Sequence, residues 1–176
     1  RSFSDFVAVN MEILGGKARG LAFANLSLSE TKLSEMFPEI NIRVPKIAVI
    51  GTDEFDNFMK VNELWDIALN SKNNEELTNF FLKGRLSRTL VQNLKEYLKE
   101  VKYPLAIRSS SLMEDSQYQP LAGMYSTLML PNSNEQLKER LSQVCESIKR
   151  VFASTFFQEP KSMMDNIIQR HEEEKM

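Results

Sequence analysis

The stretch Pro104-Leu-Ala-Ile-Arg-Ser-Ser-Ser-Leu-Met-Glu-Asp-Ser-Gln-Tyr-Gln-Pro-Leu-Ala-Gly-Met-Tyr-Ser-Thr127 decides the fold and the candidate site of this chain. Leu105 to Ile107 predicts a short buried strand that delivers Arg108 into a hydroxyl-rich loop. A guanidinium presents a rigid fork of donors to phosphate oxygens, and serine hydroxyls with backbone N–H groups can line the same concavity. The pattern favours a phosphate site. A surface ion pair beside a Ser-rich connector is the alternative that this stretch alone leaves open.

A second predicted strand and a long helix follow this loop. The strand, Tyr125 to Leu130, ends at Pro131-Asn132 and is expected to pair with Leu105 to Ile107 as a neighbour. Ser133 is the predicted N-cap of the helix, and Pro160 marks its end or a break. Apolar residues at helical spacing predict one buried stripe along this helix, formed by Leu137, Leu141, Val144, Ile148 and Val151.

The N-terminal part of the chain predicts two further strands and the start of a helix. Phe6 to Val9 and Lys46 to Ile50 have the short apolar pattern of strands. Thr52 is the predicted cap of the next helix, with Asp53 and Glu54 in its first turn, where acidic side chains are favourable.

The middle of the chain is charged and predicts helices. The segment Glu63 to Leu82 contains a connector at Ser71 to Asn74. A later stripe recurs at helical spacing, and consists of Leu86, Leu90, Val91, Leu94, Leu98 and Val101. Strands and helices together predict an α/β (α+β) fold with a short mixed sheet flanked by helices.

A second motif lies near the N-terminus, in the segment Glu12 to Ala24. Gly15 and Gly16 permit a tight backbone turn, and Lys17 opens a stretch of good helix formers. A lysine beside a helix N-terminus makes a compact anion site, but the spacing is not that of a Walker loop. A turn followed by an amphipathic helix with a solvated Lys17 is the alternative that the motif leaves open.

The order and spacing of these pieces resemble the N-terminal nucleotide-binding region of the phosphoenolpyruvate synthase and pyruvate phosphate dikinase family. The resemblance rests on the blocks Leu14 to Ala22, Val44 to Phe55, and Leu105 to Asp115 with Ala122-Gly123. Val151 to Phe156 is also similar to a stretch of the family, so the resemblance covers nearly the whole chain.

The resemblance implies which residues bind ATP. Lys17 and Arg108 would contact the phosphates, with Arg108 as the catalytic residue, and Ser109 and Ser110 would be supporting donors. Gly123 with Met124 would lie in the loop that closes over them.

Two loop acids of the same stretch, Glu114 and Asp115, could orient Arg108 or lie near a metal, although acids in loops usually form turns and caps. No metal ligand is assigned within the chain. The Mg²⁺ of the parent is expected to be held outside it.

The resemblance further implies that residues 1–176 are the N-terminal lobe of an ATP-grasp domain. The second lobe, the phosphohistidine domain and the barrel domain of the parent would lie outside the chain. The start at Arg1 and the charged end also indicate an excised piece, which alone is expected to be inactive. The parent would convert ATP, pyruvate and water to phosphoenolpyruvate, AMP and phosphate through a phosphohistidine. The single histidine, His171, lies in a charged run typical of a solvated helical face.

Other functions remain open at this point. The parent could be a relative that phosphorylates another acceptor, such as an antibiotic or a glucan. It could also be a degenerate nucleotide-sensing or interaction module, because two stretches depart from the family pattern. Lys46 to Ala48 stands where the family has Pro-Gly-Phe, and Met124-Tyr125 stands where relatives often have Gln-Gln or Met-Met. A generic α/β domain with a structural arginine loop is the third alternative.

Composition restricts the partners and the compartment. With 22 basic and 24 acidic residues the net charge is −2, so no electrostatic footprint for nucleic acid or an anionic membrane is present. The expected partners are ATP and, through other domains of the parent, pyruvate; a homodimeric parent is left open. The lone Cys145 is compatible with the cytoplasm and is expected in the core. Trp65 and the methionines are also expected to fill the core.

Overall fold

The fold is known from a computed structural model, which describes residues 20, 23–24, 26–27, 37, 39–40, 46–109 and 126–158, and the backbone of residues 6–9. Gly20, Phe23, Ala24, Leu26 and Ser27 have helical backbone. The longer elements, in chain order, are β1 (Phe6–Val9), β2 (Ile47–Ile50), α1 (Thr52–Val61), α2 (Trp65–Asn70), α3 (Asn74–Lys83), α4 (Arg88–Glu100), β3 (Leu105–Arg108), β4 (Thr127–Leu130) and α5 (Leu137–Ser154). The predicted α/β class is confirmed.

The described strands form one parallel and one antiparallel pair. β1 runs parallel to β2, with Phe6 opposite Ile47, and β3 runs antiparallel to β4, with Leu105 opposite Leu130. Both kinds of pairing expected of a mixed sheet are therefore present, in two separate two-stranded sheets of the described residues. The predicted pairing of these last two strands is confirmed.

The local sequence predicts the first residue of some helices correctly and of others incorrectly. The connector before α3 is confirmed, and the Asn73 side chain accepts hydrogen bonds from the backbone N–H groups of Glu75 and Glu76 at 2.9 and 3.1 Å. The predicted Thr52 cap is wrong by one residue, because Gly51 occupies the cap position and Thr52 is already helical. Asp53 and Glu54 do lie in the first turn of α1.

The predicted Ser133 cap of α5 is also wrong, because the N-cap is Gln136, three residues later, and the helix begins at Leu137. Two neighbouring asparagines explain the delay. Asn132 adopts the left-handed region with φ of 52°, and Asn134 Oδ1 accepts a hydrogen bond from Gln136 N at 2.8 Å. Asparagine side chains stabilise such turns in preference to helix, so the chain turns before α5 can start.

The first of two core clusters packs α1, α2 and α3 against the end of α5. Its fully buried members include Phe58, Met59, Leu77 and Phe81. Trp65 meets this cluster at its margin, with its ring edge-on to Phe55 and to Phe156 and 43% of its surface exposed.

The second cluster joins α4 and α5 to one face of the β3–β4 hairpin. Both predicted helical stripes contribute buried residues to it, which are Leu90, Leu94 and Leu98 of α4 and Val144 and Ile148 of α5. Leu105, Ile107 and Leu130 pack on these helices from the hairpin. Cys145 is partly buried here, as expected. Burial raises the pKa of its thiol, and the nearby charge of Lys149 offsets only part of this rise.

Met129 corrects the expectation that the methionines fill the core. It keeps 74% of its surface exposed, whereas Met59 has none. The reason is strand alternation, because Leu128 and Leu130 are the partly buried residues of β4 and the residue between them must point away from the core.

The start of β2 is attached to α4 through Lys46. Its backbone carbonyl accepts a hydrogen bond from Tyr97 Oη at 3.0 Å, and its backbone N–H donates to Tyr103 Oη at 3.1 Å. Its ammonium group pairs with Glu100 at 2.8 Å. The two tyrosines therefore fix where the parallel sheet meets the helical layer.

Tyr97 is expected to make stability depend on pH in the alkaline range. Burial, with a smaller contribution from Tyr103, raises the pKa of Tyr97 from 10.0 to about 12. A raised pKa means that the fold favours the neutral phenol, so this stabilisation is complete below pH 10 and is lost as the pH rises towards 12. A shift of this size would correspond to about 2.7 kcal/mol for a fully buried group. Since Tyr97 is partly exposed, we expect a smaller loss of stability, about 1 kcal/mol.

Denaturant unfolding of the wild type and of Tyr97→Phe at pH 9 and pH 11.5 measures this effect. All other side chains are the same in both proteins, so the difference between the two isolates the phenol. Equal losses of stability in wild type and variant would show that Tyr97 does not titrate as described.

Candidate functional site

The candidate site lies where β3 ends. Arg108 is the last residue of this strand and stands opposite Thr127 of β4. Leu105 and Ile107 are partly buried against the helices, whereas Ala106 and Arg108 are exposed on the other face. The predicted arginine at a strand end is confirmed. Because side chains alternate along β3, Arg108 lies on the solvent-facing side of the hairpin.

The other end of the hairpin is fixed by a buried polar network. Asn132, which is 3% exposed, donates from Nδ2 to the carbonyl oxygens of Val101 and Tyr103, each at 3.0 Å. Arg140, which is 5% exposed, donates from Nη1 to Val101 O at 3.0 Å and to Asn132 Oδ1 at 3.4 Å. These hydrogen bonds hold the chain just before β3 to the chain just after β4. The position of β3, and of Arg108 at its end, is therefore fixed relative to α5.

Ser109 follows Arg108 and carries an unsatisfied hydroxyl. Its Oγ is buried and has no hydrogen-bond partner within the described part of the chain. A buried hydroxyl without a partner is unfavourable by about 1–3 kcal/mol, and such groups in folded proteins usually meet a protein, water or ligand partner. Ser109 therefore has donor and acceptor capacity available beside Arg108.

The opposite strand adds polar groups that the sequence analysis did not single out. Thr127 pairs with Arg108 and shares its exposed face. Ser126, the residue before it, donates its backbone N–H to Ser154 Oγ of α5 at 3.3 Å. Thr127 could have been found from the register of the predicted hairpin. Ser154 could not, because its contact depends on how the helix packs.

Together these residues form the entrance to the 110–125 segment. Arg108 and Ser109 lie on one side and Ser126 and Thr127 on the other. A guanidinium beside hydroxyl groups suits an anion. Arg108 and Ser109, which are neighbours in the sequence, lie together at this entrance, and their role as phosphate ligands stays a prediction. The remaining predicted ligands lie outside the described residues, as do the loop acids: Lys17, Ser110, Gly123, Met124, Glu114 and Asp115.

The described residues contain neither a metal cluster nor a membrane-spanning helix. No group of three or more His, Cys, Asp or Glu side chains within them could hold a metal ion. Among their helices, none combines the length and the apolar character that a membrane span requires.

Fold and site together define a mixed α/β domain whose antiparallel strand pair presents an arginine at the end of β3. The family model of the pyruvate phosphate dikinase AMP/ATP-binding domain matches residues 11–176. The chain belongs to this family, which confirms the resemblance found in the sequence. No curated protein and no solved structure matches the chain significantly. The chain is therefore an ATP/AMP-binding domain of the type found in dikinase enzymes.

Proposed function

We propose that the strand-end arginine, Arg108, binds the phosphates of ATP and acts in their transfer. The observation that carries this proposal is the placement of Arg108 and the unsatisfied Ser109 hydroxyl at the entrance to the loop, within an AMP/ATP-binding family. A phosphate oxygen would satisfy Ser109 Oγ and accept from the guanidinium. Phosphoryl transfer requires such preorganised cations and donors because charge spreads over the transferred oxygens.

The remaining parts of the proposed site come from the sequence. Lys17 would contact the phosphates from the Gly-Gly turn, Ser110 would support Ser109, and Gly123 with Met124 would offer backbone donors close to the phosphates. Glycine allows the backbone to approach an anion closely. Mg²⁺, held by ligands outside this chain, would supply positive charge that neutralises the phosphates.

The finer identity that we propose is the N-terminal lobe of an ATP-grasp domain in a phosphoenolpyruvate synthase-like parent. The parent would transfer the β-phosphoryl group of ATP through a histidine to pyruvate. A relative with another acceptor would use the same ATP site, because the acceptor binds to other domains.

A degenerate nucleotide-sensing or interaction module is the alternative from a different class. One observation in favour of this alternative is the departure from the family pattern at Lys46, and this departure has a structural explanation. Lys46 donates its backbone N–H to Tyr103 Oη at 3.1 Å, which proline, the residue of the family pattern, could not do. This substitution therefore gives no reason to infer loss of nucleotide binding.

The first experiment is calorimetric titration with ATP and Mg²⁺. It compares residues 1–176 with a version extended by the next ~170 residues of the parent gene, about the size of one domain. We expect binding by the extended form and weak or no binding by residues 1–176, because a two-lobed site needs both halves. Lys17→Met in the extended form should weaken binding without changing the melting temperature.

The outcomes separate the alternatives. Absence of binding by a folded extended form would contradict the proposed function and favour the degenerate module. Unchanged ATP affinity of Lys17→Met would remove Lys17 from the site while leaving Arg108 to be tested separately.

A further inference from the structure

The exposed face of the β3–β4 hairpin carries an apolar pair of residues beside Arg108. The register places Arg108 opposite Thr127 and, two residues back along β3, Ala106 opposite Met129. All four of these residues are exposed, whereas the residues between them on each strand are partly buried. The face therefore consists of one polar cross-strand pair and one apolar cross-strand pair.

The two pairs are close enough to contact one ligand. Residues two positions apart on a strand point to the same face and lie about 6.5–7 Å apart along the strand. A ligand that places an anionic group at Arg108 therefore has an apolar surface within reach in one direction along the hairpin. Both pairs belong to strands whose opposite face packs on the helices, so their spacing is fixed by the fold.

The apolar pair has the shape and the chemistry to bind an aromatic ring. Met129 is 74% exposed. A single exposed apolar side chain is common and by itself indicates no ligand, but this one lies beside an arginine in a chain of an AMP/ATP-binding family. The thioether of methionine makes favourable contacts with aromatic rings, and the short side chain of Ala106 leaves room for a flat ring against the sheet.

We propose that the Ala106–Met129 pair binds the nucleoside part of the nucleotide whose phosphates bind Arg108. A nucleoside triphosphate carries an anionic group and an aromatic base in one molecule, and it is longer than the separation of the two pairs. Its charge is complementary to the guanidinium, and its base is complementary to the apolar pair. This inference rests on the proposed function, because it takes the position of the phosphates from Arg108.

The test measures the affinity of the full-length protein for ATP and, by competition with ATP, for inorganic triphosphate, both with Mg²⁺. Met129→Ala is expected to weaken ATP binding about tenfold, because part of the apolar burial of the side chain is lost. Its affinity for inorganic triphosphate should stay within about twofold of the wild type, since this ligand has no apolar part to bury. Arg108→Ala should weaken the binding of both ligands.

Two further variants make the result specific. Ala106→Leu fills the space that the base would occupy, so it should weaken ATP binding and leave triphosphate binding unchanged. Because position 106 is exposed, the melting temperature should stay close to that of the wild type. Val61→Ala is the matched control, since Val61 is 65% exposed but lies at the end of α1, outside the hairpin. This control should leave both affinities unchanged.

The outcomes separate this inference from the proposed function. The inference is overturned if Met129→Ala binds ATP normally, if it loses affinity for ATP and triphosphate in equal proportion, or if Met129→Ala lowers the melting temperature while ATP affinity is unchanged. The last result would mean that another part of the parent protein covers this face. By contrast, failure of triphosphate to compete with ATP, or unchanged affinities in Arg108→Ala, would contradict the proposed phosphate site itself.

Discussion

Arg108→Ala is expected to lower the phosphoryl-transfer rate of the full-length protein by at least about a hundredfold, the typical effect of removing one preorganised donor aimed at developing charge. The same substitution should change the free energy of unfolding by about 0.5 kcal/mol or less, as is usual for surface positions. The reason is its place in the hairpin, where the side chain is exposed and Leu105 and Ile107 supply the buried contacts of β3. A large loss of rate without loss of stability is the combined signature of a site residue.

Two further variants make this prediction specific. Arg108→Lys keeps the positive charge but loses the planar fork, so we expect an intermediate rate. Arg150→Ala removes an exposed arginine of α5 that pairs with Glu146 at 2.8 Å, and should leave the rate unchanged. Single-turnover measurements with saturating ATP test the chemical step directly. An Arg108→Ala rate equal to that of the wild type would refute the phosphate assignment, and an equal loss in Arg150→Ala would show a general charge effect.

The strands and helices of this fold could be predicted where local pattern and burial agree. Leu105 to Ile107 is apolar and bounded by Pro104 and a polar loop, and it forms β3. The helical stripes of α4 and α5 were equally readable, because each helix has only one side to bury. Arg108 was found for the same reason, since it directly follows a strand that the sequence shows.

The errors arise where distant residues decide the local structure. Ser133 has the side chain of an N-cap, but Asn132 is engaged with Val101 and Tyr103 on the far side of the hairpin and holds the chain in a turn. Met129 is predicted to lie in the core because methionine is an apolar residue type, but the alternation along β4 places it on the exposed face. Ser154 was passed over because its partner, Ser126, is distant in the sequence. The sequence shows which hydrogen bonds and contacts a side chain is able to make, but tertiary packing determines which partner it meets.

Gly84→Ala is expected to destabilise the fold by about 2 kcal/mol, within the usual range for forcing extra atoms into a packed core. A Cβ at this position would lie 2.7 Å from Cζ and 2.9 Å from Cε2 of Phe58. The backbone conformation is not the cause, because φ of −64° and ψ of 153° are open to any residue. Gly84 is needed because the Phe58 ring approaches its backbone closely.

Neither partner in this contact can move away freely. Phe58 is 1% exposed and packs against Phe81 and Phe152. The backbone beside Gly84 is held by Asn62, which accepts from Arg85 N at 2.8 Å, and by Lys149, which donates to Leu82 O at 2.6 Å. A close-packed interior transmits such an overlap as strain. Because neither side can move to relieve it, we expect the predicted loss of folding free energy in full.

A double-mutant cycle with Phe58→Leu tests the stated cause. Leucine lacks the two ring atoms that the new Cβ would meet, so Gly84→Ala should cost less than about 0.5 kcal/mol in the Phe58→Leu background, a coupling of the size expected for residues in contact. Gly20→Ala is the matched control, because a Cβ there meets nothing within 4 Å and alanine favours helix by about 0.5–1 kcal/mol. Urea unfolding with an unchanged m-value measures all four changes. If Gly84→Ala costs the same with leucine at position 58, the overlap with the ring is not its origin, and the contact of the new Cβ with Phe81 O at 3.1 Å is the remaining cause.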